Sequence, residues 1–126
     1  MYVDIHNEDK RGNVIRLIRP VRVHFRDHDF VIHAGFECDG VSVPRIFWPL
    51  VSPHLDPHSL RAGVAHDFIY RTQPDGWTRY EADLMFFCFL LEDGLGVTRS
   101  KIAYDGVRLG GWCAWNKNEK LLRGAM

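Results

Sequence analysis

The chain has 126 residues, 46% of them hydrophobic and 13% aromatic, which suits a packed core and argues against disorder. Its 16 basic and 16 acidic residues cancel, without the basic excess of a nucleic-acid-binding domain. Cys38, Cys88 and Cys113 are odd in number and far apart, which argues against a disulfide scaffold and a CxxC zinc site; a reducing compartment is the simplest expectation.

The opening "MYVDIHNEDK" is too polar for a signal peptide. The longest apolar run, Leu84 to Leu91, is too short to cross a bilayer. No internal repeat interrupts the reading, and we expect one domain over residues 1–126.

The expected fold class is α+β. Residues 1–36 form the β-rich part. In "NVIRLIRPVRVHFR" charged and apolar residues alternate, so Arg16, Arg19, Arg22 and Arg26 are expected on the wet face of strands. Pro20 marks a bend or a sheet edge. "RDHD" (26–29) is expected to turn, and "FVIHAGF" (30–36) to return as the partner in an antiparallel hairpin. A long proline-rich loop follows over 37–57, anchored by Phe47 and Trp48; loops of this length often carry function.

Three helices complete the chain over 58–116. Asp56 and Pro57 predict the start of the first, which runs to about Arg71 with Leu60, Val64 and Phe68 as its buried stripe. "TQPDGW" (72–77) breaks it. Thr78 and Glu81 form a capping box for the second. That helix is apolar nearly all round, includes Cys88 as a small buried group, and stops at Gly94. The third starts near Thr98, and Gly110-Gly111 marks a kink or a close approach of another backbone. Residues 117–126 read as a loosely held polar tail.

The stretch "VAHDFIYR" (64–71) sets polar groups inside an apolar helix. His66 and Tyr70 are four apart and share a face. Asp67 is turned about 100° away. The short connection to the second helix makes the two antiparallel neighbours, which brings Asp83 opposite His66. A carboxylate at one imidazole nitrogen fixes the tautomer and leaves the other nitrogen to take a proton from water. Asp67 faces the loop at 35–45, where it and Asp39 are candidates for holding a cation.

"HDFIY" followed by "R…AD…F" resembles the secreted, bacterial and viral-capsid phospholipase A2 enzymes over residues 60–91. The resemblance implies an antiparallel helix pair with His66 as general base, Tyr70 and Asp83 as its support, and Asp67 as a ligand to Ca2+. The ion would polarise a lipid ester. "GFECDGVSVPR" carries only Gly35 and Gly40 where those enzymes have a glycine-rich calcium loop. The disulfides of the secreted members are missing as well.

Nearly the whole chain is similar to a family of small uncharacterised phage and prophage proteins, classed as a domain of unknown function. The residues that carry this are "GFECDGVSVPR", "AHDFIY" and "R.EAD..F". The similarity implies a phage or prophage origin and a place in or near the virion, in its tail for example.

Other readings of the same residues stay open. Asp67 has Arg71 four residues on, and Asp83 has Arg79 four residues back; both are ordinary helix-surface pairs. Asp39-Gly40 suits a turn. Ser42 lacks a nucleophile elbow, and His54 and His58 suit solvent. A His-Asp phosphohydrolase would need His54, His58 and Asp83 to converge on metal. Two functions are therefore expected in competition. One is a phage-encoded, calcium-dependent ester hydrolase acting on lipid. The other is a virion structural or assembly protein in which His66, Asp67, Tyr70 and Asp83 form a clasp. Both place the chain in the host cytoplasm during assembly and then in the virion, among other virion proteins. Both leave a homo-oligomer open and require neither nucleic acid nor a membrane span.

Overall fold

A computed structural model of the chain describes residues 3–8, 12–38 and 57–124. Within these residues the strands are β1 (Val3–Glu8), β2 (Gly12–Leu17), β3 (Val21–Phe25), β4 (His28–Ile32) and β5 (Glu37–Cys38). They are followed by helices α1 (Pro57–Thr72), α2 (Arg79–Glu92) and α3 (Val97–Gly124). This is the α+β layout expected from the sequence. Of the proline-rich loop expected over 37–57, Glu37 and Cys38 form β5 and Pro57 opens α1, while 39–56, with Asp39, Ser42, Phe47, Trp48, His54 and Asp56, lie outside the described residues.

The strands form two antiparallel sheets, β1-β2-β5 and β3-β4. The segment around Pro20 separates them, since proline cannot donate to a ladder. Strand β1, in the polar opening of the part expected to be β-rich, pairs antiparallel with β2, with Ile5 opposite Ile15 in the register. The hairpin turn is tighter than the expected four residues. Phe25 pairs directly with His28, leaving Arg26 and Asp27 as the loop, with Arg26 at φ 54. Two-residue hairpin loops require such left-handed backbone because it matches strand twist. Along β3, Val23 and Phe25 are buried while Arg22 and His24 face solvent, as the alternation predicts.

Helix α1 buries Ala62, Val64, Ala65, Ile69 and Tyr70. Of the expected stripe, Val64 lies at the centre and Leu60 and Phe68 at its margin. Thr78 caps α2, its hydroxyl accepting from the Glu81 backbone N–H at 3.1 Å. The Glu81 carboxylate turns instead to His28 and Arg26 of the hairpin. The helix closes at Asp93, and Gly94 follows at φ 89. Helix α3 is one continuous helix of 28 residues. Gly110-Gly111 does not break it, and most of the expected polar tail is its last turns.

Helices α1 and α2 run antiparallel. Arg61 near the start of α1 reaches Asp93 and Glu92 at the end of α2, while Tyr70 near the end of α1 reaches Asp83. The hairpin packs over them through aromatic pairs, Phe25 on Phe89 and Phe30 on Phe68, with centroids 6.0 and 5.5 Å apart. None of the three cysteines is in a disulfide; Cys38 is buried, Cys88 half-buried and Cys113 exposed. No helix among the described residues is long and apolar enough to cross a membrane.

Candidate functional site

Asp83 is the hub at which three helices meet. It sits on the buried face of α2 beside Ala82, Met85 and Phe86, and its side chain is fully enclosed. A carboxylate so placed needs a donor for every lone pair it keeps from water. Oδ1 takes two: His66 Nε2 at 2.7 Å and the Tyr70 hydroxyl at 2.6 Å. Oδ2 takes two more: Arg108 Nη1 from α3 at 2.7 Å, and Arg79 Nη1 from its own helix at 3.3 Å. Burial works against ionisation most strongly. The bonds from His66, Tyr70 and Arg108 together outweigh it and hold the Asp83 carboxyl below its ordinary range. For Tyr70, burial first and the Asp83 charge second push the phenol well above its usual value. It therefore remains a neutral donor.

The helix spacing explains how these groups converge. His66 and Tyr70 stack along one face of α1, their rings 4.2 Å apart. Phe86 covers the imidazole from α2 at 4.9 Å, and Trp115 of α3 meets Tyr70 edge-on at 5.2 Å. In the connection between the helices, Gln73 donates to the carbonyls of Tyr70 and Trp115. Arg79 also donates to the carbonyls of Val107 and Arg108, so one guanidinium ties α2 to α3 and to Asp83.

His66 is 0% exposed. An ionised carboxylate only accepts, so the hydrogen between Asp83 and His66 belongs to Nε2. In the neutral ring Nδ1 then carries the lone pair. Nδ1 is buried and has no hydrogen-bond partner among the described residues.

The remaining expected residues fall elsewhere. Asp67 is 8% exposed and faces Arg71, whose Nε lies 3.0 Å from its Oδ2. Arg71 also donates to the Glu37 carbonyl at 2.8 Å, tying α1 to β5. The described residues do not fit a calcium ion. They offer one carboxylate, and a guanidinium already lies against it. No group of three or more His, Cys, Asp or Glu side chains gathers among them. Asp39 lies outside them. His58 bonds the Asp93 carbonyl at 2.6 Å, at the opposite end of α2 from Asp83, so the two do not form a metal pair. The sequence reading missed Arg108 altogether. It named Arg79 only as a surface partner of Asp83, whereas its side chain is 19% exposed and spans two helices.

The profile of a family described as a protein of unknown function, DUF1353, matches residues 15–107. The chain belongs to that family, which bears out the expectation of a domain of unknown function. The match runs from β2 through β3, β4, β5, α1 and α2 into the first part of α3, ending one residue before Arg108. No curated protein and no solved structure gives a match.

Proposed function

We propose that the chain is a phage- or prophage-encoded hydrolase of ester bonds, with phospholipid as the substrate class, in which His66 takes the proton from the attacking water. One observation carries the reading. His66 is held at Nε2 by an ionised partner 2.7 Å away, while its buried Nδ1 has no partner among the described residues. A buried acceptor left unmet costs about 1–3 kcal/mol, so one without a partner among the described residues calls for a reason. Proton abstraction from water supplies that reason. Asp83 orients the ring and stabilises the imidazolium as it forms, while Tyr70 fixes Asp83. His66 is enclosed, so turnover requires the cover over Nδ1 to open. The similarity to phospholipase A2 over residues 60–91 supports the substrate class. The similarity to phage and prophage proteins supports synthesis in the host cytoplasm and a place in the virion among its proteins.

The enclosure of His66 and the two arginines on Asp83 favour a second reading, in which the same groups are a clasp in a virion structural or assembly protein. Incubation of the purified chain with phospholipid vesicles, followed by titration of released fatty acid, separates the two. The hydrolase reading expects release that depends on His66; the clasp reading expects none. A chelator arm tests the role of the resemblance's calcium. Release that survives chelation leaves Arg71 as the cation at Asp67, and release that stops assigns that place to a metal.

A further inference from the structure

We infer that Arg79 and Arg108 are positioning residues that act through Asp83 to keep the His66 imidazole neutral, with its lone pair on Nδ1. The inference deepens the hydrolase reading, which supplies the use for that lone pair.

The argument begins with the division of labour on one carboxylate. His66 and Tyr70 share Oδ1, and Arg108 and Arg79 share Oδ2. Two cations therefore face one anion whose own carboxylate is closed to water. An imidazolium there would be a third cation with no counter-charge of its own, and like charges nearby disfavour the protonated ring. The other groups around the ring do not alter the balance. On α1, Asp67 is paired with Arg71 and Tyr70 is neutral. From α2, Phe86 is apolar.

The opposite case shows what the arginines do. Without them, the imidazole becomes the nearest cation available to a buried Asp83 carboxylate. The pair then settles as carboxylate and imidazolium, and both ring nitrogens carry hydrogen. A ring in that state accepts nothing at Nδ1. The backbone supports this arrangement. Arg79 is anchored by the carbonyls of Val107 and Arg108. Its approach depends on Gly111, where a Cβ would come within 3.2 Å of Arg79 Nη1.

The test reads where the proton sits and needs no turnover. The protein is labelled with nitrogen-15, and the His66 ring signals are assigned by comparison with His66→Asn. At pH 7 the wild type is expected to show a protonated Nε2 and an unprotonated Nδ1. In Arg108→Gln, with Arg79 left as the one cation on Oδ2, the proton occupancy of Nδ1 is expected to rise above the wild-type level, and in Arg108→Lys to stay as in wild type. Arg108 is the site of choice because its side chain is 31% exposed, so its loss spares the inner tie made by Arg79. An Nδ1 no more protonated in folded Arg108→Gln than in the wild type overturns the inference, as does a protonated Nδ1 in the wild type. A chain that hydrolyses no ester yet shows the expected shift sinks only the hydrolase reading. Active protein without the shift sinks only the role of the arginines.

Discussion

Tyr70 and Gly111 meet because one of them has no side chain: a Cβ on Gly111 would lie 2.5 Å from the Tyr70 hydroxyl oxygen. The bond from that hydroxyl to Asp83 therefore depends on a glycine in the middle of a long helix. Gly111→Ala gains about 1 kcal/mol of helix propensity and loses about 1–3 kcal/mol to overpacking. Net destabilisation is expected in urea, together with a change in the Tyr70 environment. Gly124→Ala, where no atom lies within 4 Å of the added carbon, should leave the midpoint almost unmoved.

Asp83→Asn keeps the size of the side chain and removes its charge. An amide oxygen still accepts from His66 and Tyr70, but its NH2 faces two guanidiniums. Breaking a buried pair from one side costs about 3–5 kcal/mol. The lower end applies, because Arg108 is 31% exposed and water relieves part of its loss. Chemical denaturation checks this, and a cost near zero would show that the cluster contributes little to the fold.

Two groups give the stability a defined pH dependence. The Asp83 carboxyl is held below its ordinary range, so the stability it contributes is complete above the unfolded value, about 4. That contribution is lost as pH falls toward the folded value. The gap in melting temperature between wild type and Asp83→Asn should shrink on acidification through this window. The Tyr70 phenol is raised. Its contribution is complete below about pH 10 and is lost at higher pH. In an absorbance titration, one of the four tyrosines should ionise only as the protein unfolds, and Tyr70→Phe should abolish that late step.

Arg71 joins α1 to β5 through the Glu37 carbonyl and lies against Asp67. A hydrogen bond from a charged donor is worth about 1.5–3 kcal/mol. Arg71→Ala should lower stability by about that much and loosen Glu37–Cys38 first, read as faster amide exchange in that strand than in α2. Uniform exchange across both would contradict the assignment.

The parts of this arrangement that were legible in the sequence are those set by local geometry. The four-residue spacing put His66 and Tyr70 on one face, and the short turn brought Asp83 opposite them. Thr78 announced the start of α2, and alternating arginines marked the wet side of the strands. What stayed hidden was set by contacts between distant segments. Arg108 is 25 residues from Asp83, and nothing in its neighbours "DGVRLGG" signals a partner on another helix. Strand β1 is polar in sequence and owes its state to pairing with β2. Gly110-Gly111 looked like a weakness in a helix. It marked a close approach, made by a tyrosine side chain rather than by another backbone.

Paired measurements on wild type and His66→Gln bear on the central claim most directly: the rate of fatty-acid release from vesicles, and the unfolding midpoint of the same samples. Loss of a general base lowers the rate by about 10²–10⁴-fold. The account predicts a loss of that size in His66→Gln with the folded state retained. Wild type that releases no fatty acid, or a variant as fast as wild type, would contradict it.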